Sequence, residues 1–159
     1  MSQQSYQDII HRVERLHRRF LDVLSIELVK MGIEDINNVQ ALIAYNIGPD
    51  TLTVGELTAR GYYLGSNVSY NLKKLVEAEY IVNERSAHDK RSVRVRLSDK
   101  GTALRRKMAE MFARHVDKMG EVGLTDAELT NVENKLANME QFLTAQLAYA
   151  GITVPRDQA

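Results

Sequence analysis

The chain has 159 residues, 44% of them apolar, with 21 Lys+Arg balanced by 21 Asp+Glu and no cysteine. That is enough apolar material for one domain, or two small lobes sharing a core, and too much for a disordered tail; the missing cysteines exclude disulfides, thiolate metal sites and cysteine redox switches. The polar start "MSQQSYQDII" and the absence of any apolar run near the ~18 residues a membrane span needs lead us to expect a cytoplasmic protein with no membrane partner.

Ile9, Val13, Leu16, Phe20, Val23 or Leu24, and Leu28 recur at three- and four-residue spacing, which predicts a long amphipathic helix from Ser5 to about Met31, ended by Gly32. A second helix is expected from Ile36 to Ile47, with Gly48 at its end and Pro49 preventing continuation. Thr53 and Glu56 stand at capping-box spacing and open a third, which stops near Gly61. A fourth runs from about Leu64 to Glu79. Tyr80 to Arg85 and Ser92 to Leu97 read as strands, the second alternating Val93, Val95 and Leu97 with Ser92, Arg94 and Arg96, and "SAHDKR" joins them as a hairpin loop. Ser98 is placed to cap a helix carrying Leu104, Met108, Met111, Phe112 and Met119; Thr125 and Glu128 form a second capping box opening a last helix. The tail "GITVPRDQA" is expected to fray.

The neutral sum conceals a division. Between Arg60 and Lys107 there are 12 Lys+Arg against 5 Asp+Glu, and the remainder carries 9 against 16. A binding surface responds to local charge, so the cationic segment is where a polyanion would bind. On a helical wheel Leu64, Val68, Leu72, Leu75 and Val76 share one face, Ser66, Tyr70, Lys73 and Lys74 lie opposite, and Asn67 and Ser69 flank them. Short polar groups that let a helix approach base edges, followed by cations for phosphates, are what insertion into a major groove requires. The capped third helix, the break at "RGYYLG" and this fourth helix make a helix-turn-helix; the hairpin after it, with Arg85, His88, Asp89, Lys90, Arg91 and Arg94, makes a wing that reaches the backbone or minor groove. Asp89 stands close enough to Arg91 to orient its guanidinium. The fold class expected is mainly α with a small β-hairpin wing.

The stretch "LTVGELTARGYYLGSNVSYNLKKLVEAEYIVNERSAHDKRSVRVRLSDKG" resembles the winged helix-turn-helix core of MarR-type transcriptional regulators. The residues that carry the resemblance are Ser66, Asn67, Val68, Ser69 and Tyr70 at the start of the recognition helix, Leu72, Leu75 and Ile81 into the wing, Asp89 and Arg91 at its tip, and Val95, Leu97, Ser98 and Gly101 at its close. The resemblance implies a DNA-binding regulator, repression being the family's commoner habit, whose dimer is built from N- and C-terminal helices. It suggests residues 1–34 as an N-terminal dimerisation helix, 35–103 as the DNA-binding domain and 104–159 as C-terminal dimerisation helices. Tyr70 stands where the family commonly has an Arg, which loses a bidentate guanine contact and suggests a site richer in A·T.

Three amphipathic helices, Ser5 to Met31, Asp99 to Met119 and Thr125 to Tyr149, are too many for a small winged core to cover, so we expect a homodimer reading a palindrome of double-stranded DNA. Family members commonly release DNA when a small, often aromatic anion binds between the dimer helices and the winged lobe; His11 and Arg15 on the basic first helix and Tyr45 on the second suggest such an effector pocket here. No cofactor is expected. Without cysteine the family's thiol-based sensing is excluded, and His11, His17, His88 and His115 show no i, i+4 pairing or carboxylate cluster that would suggest a metal. No nucleotide-binding, hydrolase or zinc-protease motif is present, so no enzyme is expected. The rivals that remain are a non-specific architectural DNA binder and a winged helix used as a protein-interaction module. A protein dock would favour exposed apolar anchors at the helix tip, where Ser66, Asn67, Ser69 and Tyr70 stand instead.

Overall fold

The computed structural model describes residues 2–61, 65–85 and 93–152. Ser2 opens α1 (Gln3–Lys30), its hydroxyl accepting from the Ser5 amide at 3.1 Å. Gly32, at φ +72°, turns the chain out of it. α2 (Asn38–Ile47) begins at a reciprocal cap that the sequence reading did not anticipate: the Gln40 amide donates to Asn37 Oδ1 at 2.9 Å and the Asn37 amide to Gln40 Oε1 at 3.0 Å. Thr53 and Glu56 form their expected box at the start of α3 (Val54–Gly61). α4 (Gly65–Glu77) follows, then β2 (Ile81–Arg85), β3 (Val93–Leu97), α5 (Asp99–Glu121) and α6 (Asp126–Tyr149), the last opened by the Thr125/Glu128 box.

The hairpin gains a third strand, β1 (Leu52–Thr53), giving the order β1-β3-β2, antiparallel throughout. Leu52 faces Val95, and Ile81 and Asn83 face Leu97 and Val95. Two residues are too short for an alternation to register, so this strand is invisible in the pattern. Along β3, Val95 and Leu97 are buried and Arg94 and Arg96 exposed, as the period of two dictates.

α2 is the hub, packing against α1, α3, α4 and α5. Its Ala41, Ile43, Ala44 and Ile47 meet Leu24 and Leu28 of α1, Leu57 of α3, Val68, Leu72 and Leu75 of α4, and Leu104, Met108 and Met111 of α5 in one buried cluster. Burying side chains of this size stabilises by about 1.5–3 kcal/mol each. The sequence reading placed residues 104–159 with the dimerisation helices; within the chain, Leu104, Met108 and Met111 of α5 join the buried core against α2.

The junction between α4, β2 and α5 is tied closely. α4 ends in a left-handed turn at Glu79 (φ +64°), with the Tyr80 amide donating back to the Leu75 carbonyl at 2.9 Å and the Glu79 amide to that of Val76 at 3.0 Å. Ser98 caps α5 by accepting from the Gly101 amide, while its hydroxyl donates to the Glu79 carbonyl at 2.6 Å and its amide to that of Tyr80 at 3.0 Å. Gly101 is required here because a Cβ would lie 2.1 Å from the Tyr80 carbonyl oxygen. Asp35, in the α1–α2 link, accepts from the Tyr80 hydroxyl at 2.8 Å and from Lys100 Nζ at 2.6 Å, and Lys100 also lies 4.3 Å from the centre of the Tyr80 ring. Burial pushes the Asp35 carboxyl up, but the hydrogen bonds from Lys100 and Tyr80 outweigh it and hold its pKa below the usual value. Burial, then that same carboxylate, push the Tyr80 phenol well up.

α1 and α6 behave differently. α1 buries only Leu24 and Leu28, and α6 buries none of its 24 residues. Their facing sides form a crevice of about 510 Å³ floored by Val13, Leu129, Val132, Leu136 and Leu143.

Candidate nucleic-acid interface

α4 divides its faces as the wheel predicts, with one exception. Val68, Leu72 and Leu75 are buried, and Asn67, Ser69, Tyr70 and Lys73 are exposed, Tyr70 at 61%. The exception is Asn71, a polar residue that the structure buries; its Nδ2 donates to the Asn67 carbonyl at 2.8 Å and its Oδ1 accepts from Gln40 Nε2 at 3.2 Å. Ser66 lies in the first turn of α4, but its side chain lies outside the described residues, as do that of Arg85 and the whole of His88, Asp89, Lys90 and Arg91.

The cations of this surface are not equally available. Lys74 is half-buried and donates to Glu77 at 2.7 Å, whereas Lys73 stands 4.0 Å from the same carboxylate. The hydrogen bond with Lys74 holds the Glu77 carboxyl below its usual value, and the same bond raises the Lys74 ammonium, so both remain charged. On the strands, Arg96 is paired with Glu84 and also donates to the Leu97 carbonyl at 3.2 Å. Arg94 is exposed on β3, opposite Glu84 in the register. The Lys74-Glu77 pair stands at i, i+3 spacing, which the sequence reading did not single out. The Glu84-Arg96 pair was not legible, since it depends on the strand register.

Between α4 and the sheet runs a groove of about 460 Å³, floored by Leu72, Val76 and Val95 and rimmed by Ser69, Lys73, Glu77 and Asn83. An exposed polar helix face beside a strand, β3, that carries Arg94 and Arg96 outward has the character of a surface for duplex DNA.

The three residues suggested for an effector pocket do not share one place. His11 and Arg15 are exposed on α1. Tyr45 is half-buried beside Phe112, with ring centres 5.3 Å apart, and Phe112 stacks on Phe20 at 5.9 Å. Nine residues separate His11 from Phe20, about 13 Å along a helix axis, and five separate Arg15 from it, about 7 Å. The cation over Tyr45 is Arg105 of α5, at 5.8 Å, which the sequence reading did not single out because only the packing of α2 on α5 brings the two together. Among the described residues no cluster of His, Asp and Glu is suited to hold a metal ion, and no helix is long and apolar enough to cross a membrane.

Comparison with known proteins agrees with this geometry. Residues 36–101 match the family model of a winged helix DNA-binding domain. Over 100 residues, 63% of this chain, the sequence is 48% identical to the exopolysaccharide II synthesis transcriptional activator ExpG of Rhizobium meliloti (strain 1021); that match spans about half (52%) of the relative's length. Among solved structures, FabT of Streptococcus pneumoniae, determined in complex with DNA, superposes with a TM-score of 0.71 at 24% identity over 89% of this chain and 99% of that one. MarR of Staphylococcus aureus, determined with salicylate and kanamycin, superposes with a TM-score of 0.71 at 20% identity, over 90% of this chain and 95% of its own. Residues 36–101 thus match a winged helix DNA-binding domain, and the chain shares the fold of the FabT and MarR structures over about nine-tenths of its length.

Proposed function

We propose that the protein is a homodimeric, sequence-specific regulator that binds a palindromic operator, with α4 of each chain in successive major grooves and the β2–β3 hairpin against the flanking backbone. The observation that carries this reading is the outward face of α4, where Asn67, Ser69 and Tyr70 offer hydrogen-bonding groups beside Lys73. Asn is suited to adenine, and Tyr70 in place of an Arg argues for a site richer in A·T. Dimerisation is supported by the outer helices. A 24-residue helix with no buried residue presents Val132, Leu136, Phe142, Leu143 and Leu147 to solvent until a partner covers them. A two-fold pair sets the recognition helices about 34–36 Å apart, one turn of the duplex.

Repression is the mode that the family resemblance implies, as the commoner one. Activation is the second reading, favoured by the name of the Rhizobium meliloti relative. An aromatic or anionic effector releases the DNA; Phe20, Tyr45 and Phe112, with Arg105 above, offer ring faces and a cation at the junction of α1, α2 and α5 where such a ligand would bias the two modules.

The test is selection of bound fragments from the source genome, followed by affinities for the winner and a scrambled duplex at two salt concentrations. A palindrome preferred by about 10³-fold or more is the expected result. Equal, steeply salt-dependent binding to both duplexes would contradict it and favour an architectural binder.

A further inference from the structure

The inner side of α4 is held mainly by apolar contacts, which carry no preferred direction, whereas a hydrogen bond weakens steeply with distance and angle. A roll of roughly 15° on a helix of about 5–6 Å outer radius carries a side-chain tip by about 1.5 Å, enough to break a hydrogen bond to a base edge. A directional contact on the inner side therefore restrains the roll beyond what packing does.

Two residues are suited to it. Gln40 and Asn71, 6% and 9% exposed, are the buried polar residues among those described. Their amides are locked in sequence. Gln40 Oε1 accepts from the Asn37 amide at 3.0 Å, which leaves Nε2 to donate to Asn71 Oδ1 at 3.2 Å. Asn71 Nδ2 in turn donates to the carbonyl of Asn67 at 2.8 Å, the backbone of a residue on the outward face. Neither amide can turn over without setting donor against donor or acceptor against acceptor. At the other end of the path Asn38, beside the cap, donates to the Leu21 carbonyl at 3.0 Å and to Ser25 Oγ at 2.9 Å, fixing the same helix end to α1.

We infer that the Gln40–Asn71 pair sets the roll of α4 and is a specificity-determining positioning pair that touches no DNA. The inference rests on α4 being the base-reading helix. Through Asn38 the pair also references the reading head to α1, the helix whose apolar side lies open. Its mechanism is geometric: with the pair intact Asn67 meets its base edge, and without it α4 samples several rolls that contact phosphates equally well and bases poorly.

The experiment compares full-length wild type with the double variant Gln40→Met/Asn71→Leu, which removes both partners of the bond but also takes the acceptor from the Asn37 amide, and with Asn71→Ala alone, which leaves that cap in place. Each is melted to establish one cooperative fold, then titrated with the duplex selected by the wild type and with its scrambled counterpart at one salt concentration. Expected is a scrambled-duplex affinity within about twofold of wild type and a selected-to-scrambled ratio reduced by about tenfold or more, the effect of one lost base contact. A cooperatively folded variant that keeps the wild-type ratio overturns the inference and leaves base reading by α4 intact. A wild type with no preference overturns both.

Discussion

The winged lobe and the outer helices are built from similar amphipathic patterns with opposite outcomes. In the lobe, α2 alone sinks five of its ten residues and every neighbouring helix turns its stripe toward it. In α1 and α6, a stripe of the same kind along 28 and 24 residues yields two buried side chains in one helix and none in the other. Periodicity therefore says that a face will be covered and leaves open by what. Within one chain, the lobe has its covering already. The outer helices still need theirs, and we assign it to a second copy.

The largest effect that distinguishes the two regions is in the core. Leu75 is fully buried, so Leu75→Ala is expected to cost about 2–5 kcal/mol at any protein concentration, measured by chemical denaturation. Leu143 on α6 is 41% exposed in one chain, so Leu143→Glu is expected to leave the near-native signal of the lobe largely in place. In sedimentation it should shift mass toward a single chain, and weaken binding to a palindrome by about 10²-fold, since two linked reading heads become separate ones. If instead the α6 variant sediments as wild type and binds the palindrome as tightly, the contrast between the regions is wrong.

Smaller changes sharpen the description of the lobe. The Asp35 pKa is lowered in the fold, so its contribution is present above its ordinary 3.8 and is lost as pH falls below that through the depressed folded value. Lys100→Met removes one of the bonds that lower it, and the acid limb of the stability profile should become shallower, while stability near pH 7 falls. Glu79 occupies a left-handed turn in which glycine is the usual residue; Glu79→Gly is expected to stabilise by about 0.5–1 kcal/mol, read as a raised Tm.

What the sequence disclosed were features whose cause is local. Both Thr-x-x-Glu boxes, the Ser98 cap, the glycines ending α1 and α2 and the buried side of α4 follow from residues within a turn or two of one another, and the structure has them all. The strand β1, the burial of Asn71 against Gln40, the pairing of Arg96 with Glu84 and the seat of Arg105 over Tyr45 were not legible, because each joins residues that only the packed fold brings together. The candidate interface was legible on α4 for the same local reason. Its neutralised cations were partly missed, since an arginine count does not say which arginine already has a carboxylate.

The measurement that tests the central claim most directly is the stoichiometry and affinity of the full chain on its selected palindrome, set against the same duplex with one half-site scrambled. A dimeric reader binds two chains per palindrome cooperatively and loses about 10²-fold or more when one half is scrambled, each mismatched base pair removing about 1–3 kcal/mol. One chain per duplex, or equal affinity for the intact and half-scrambled sites, would contradict it.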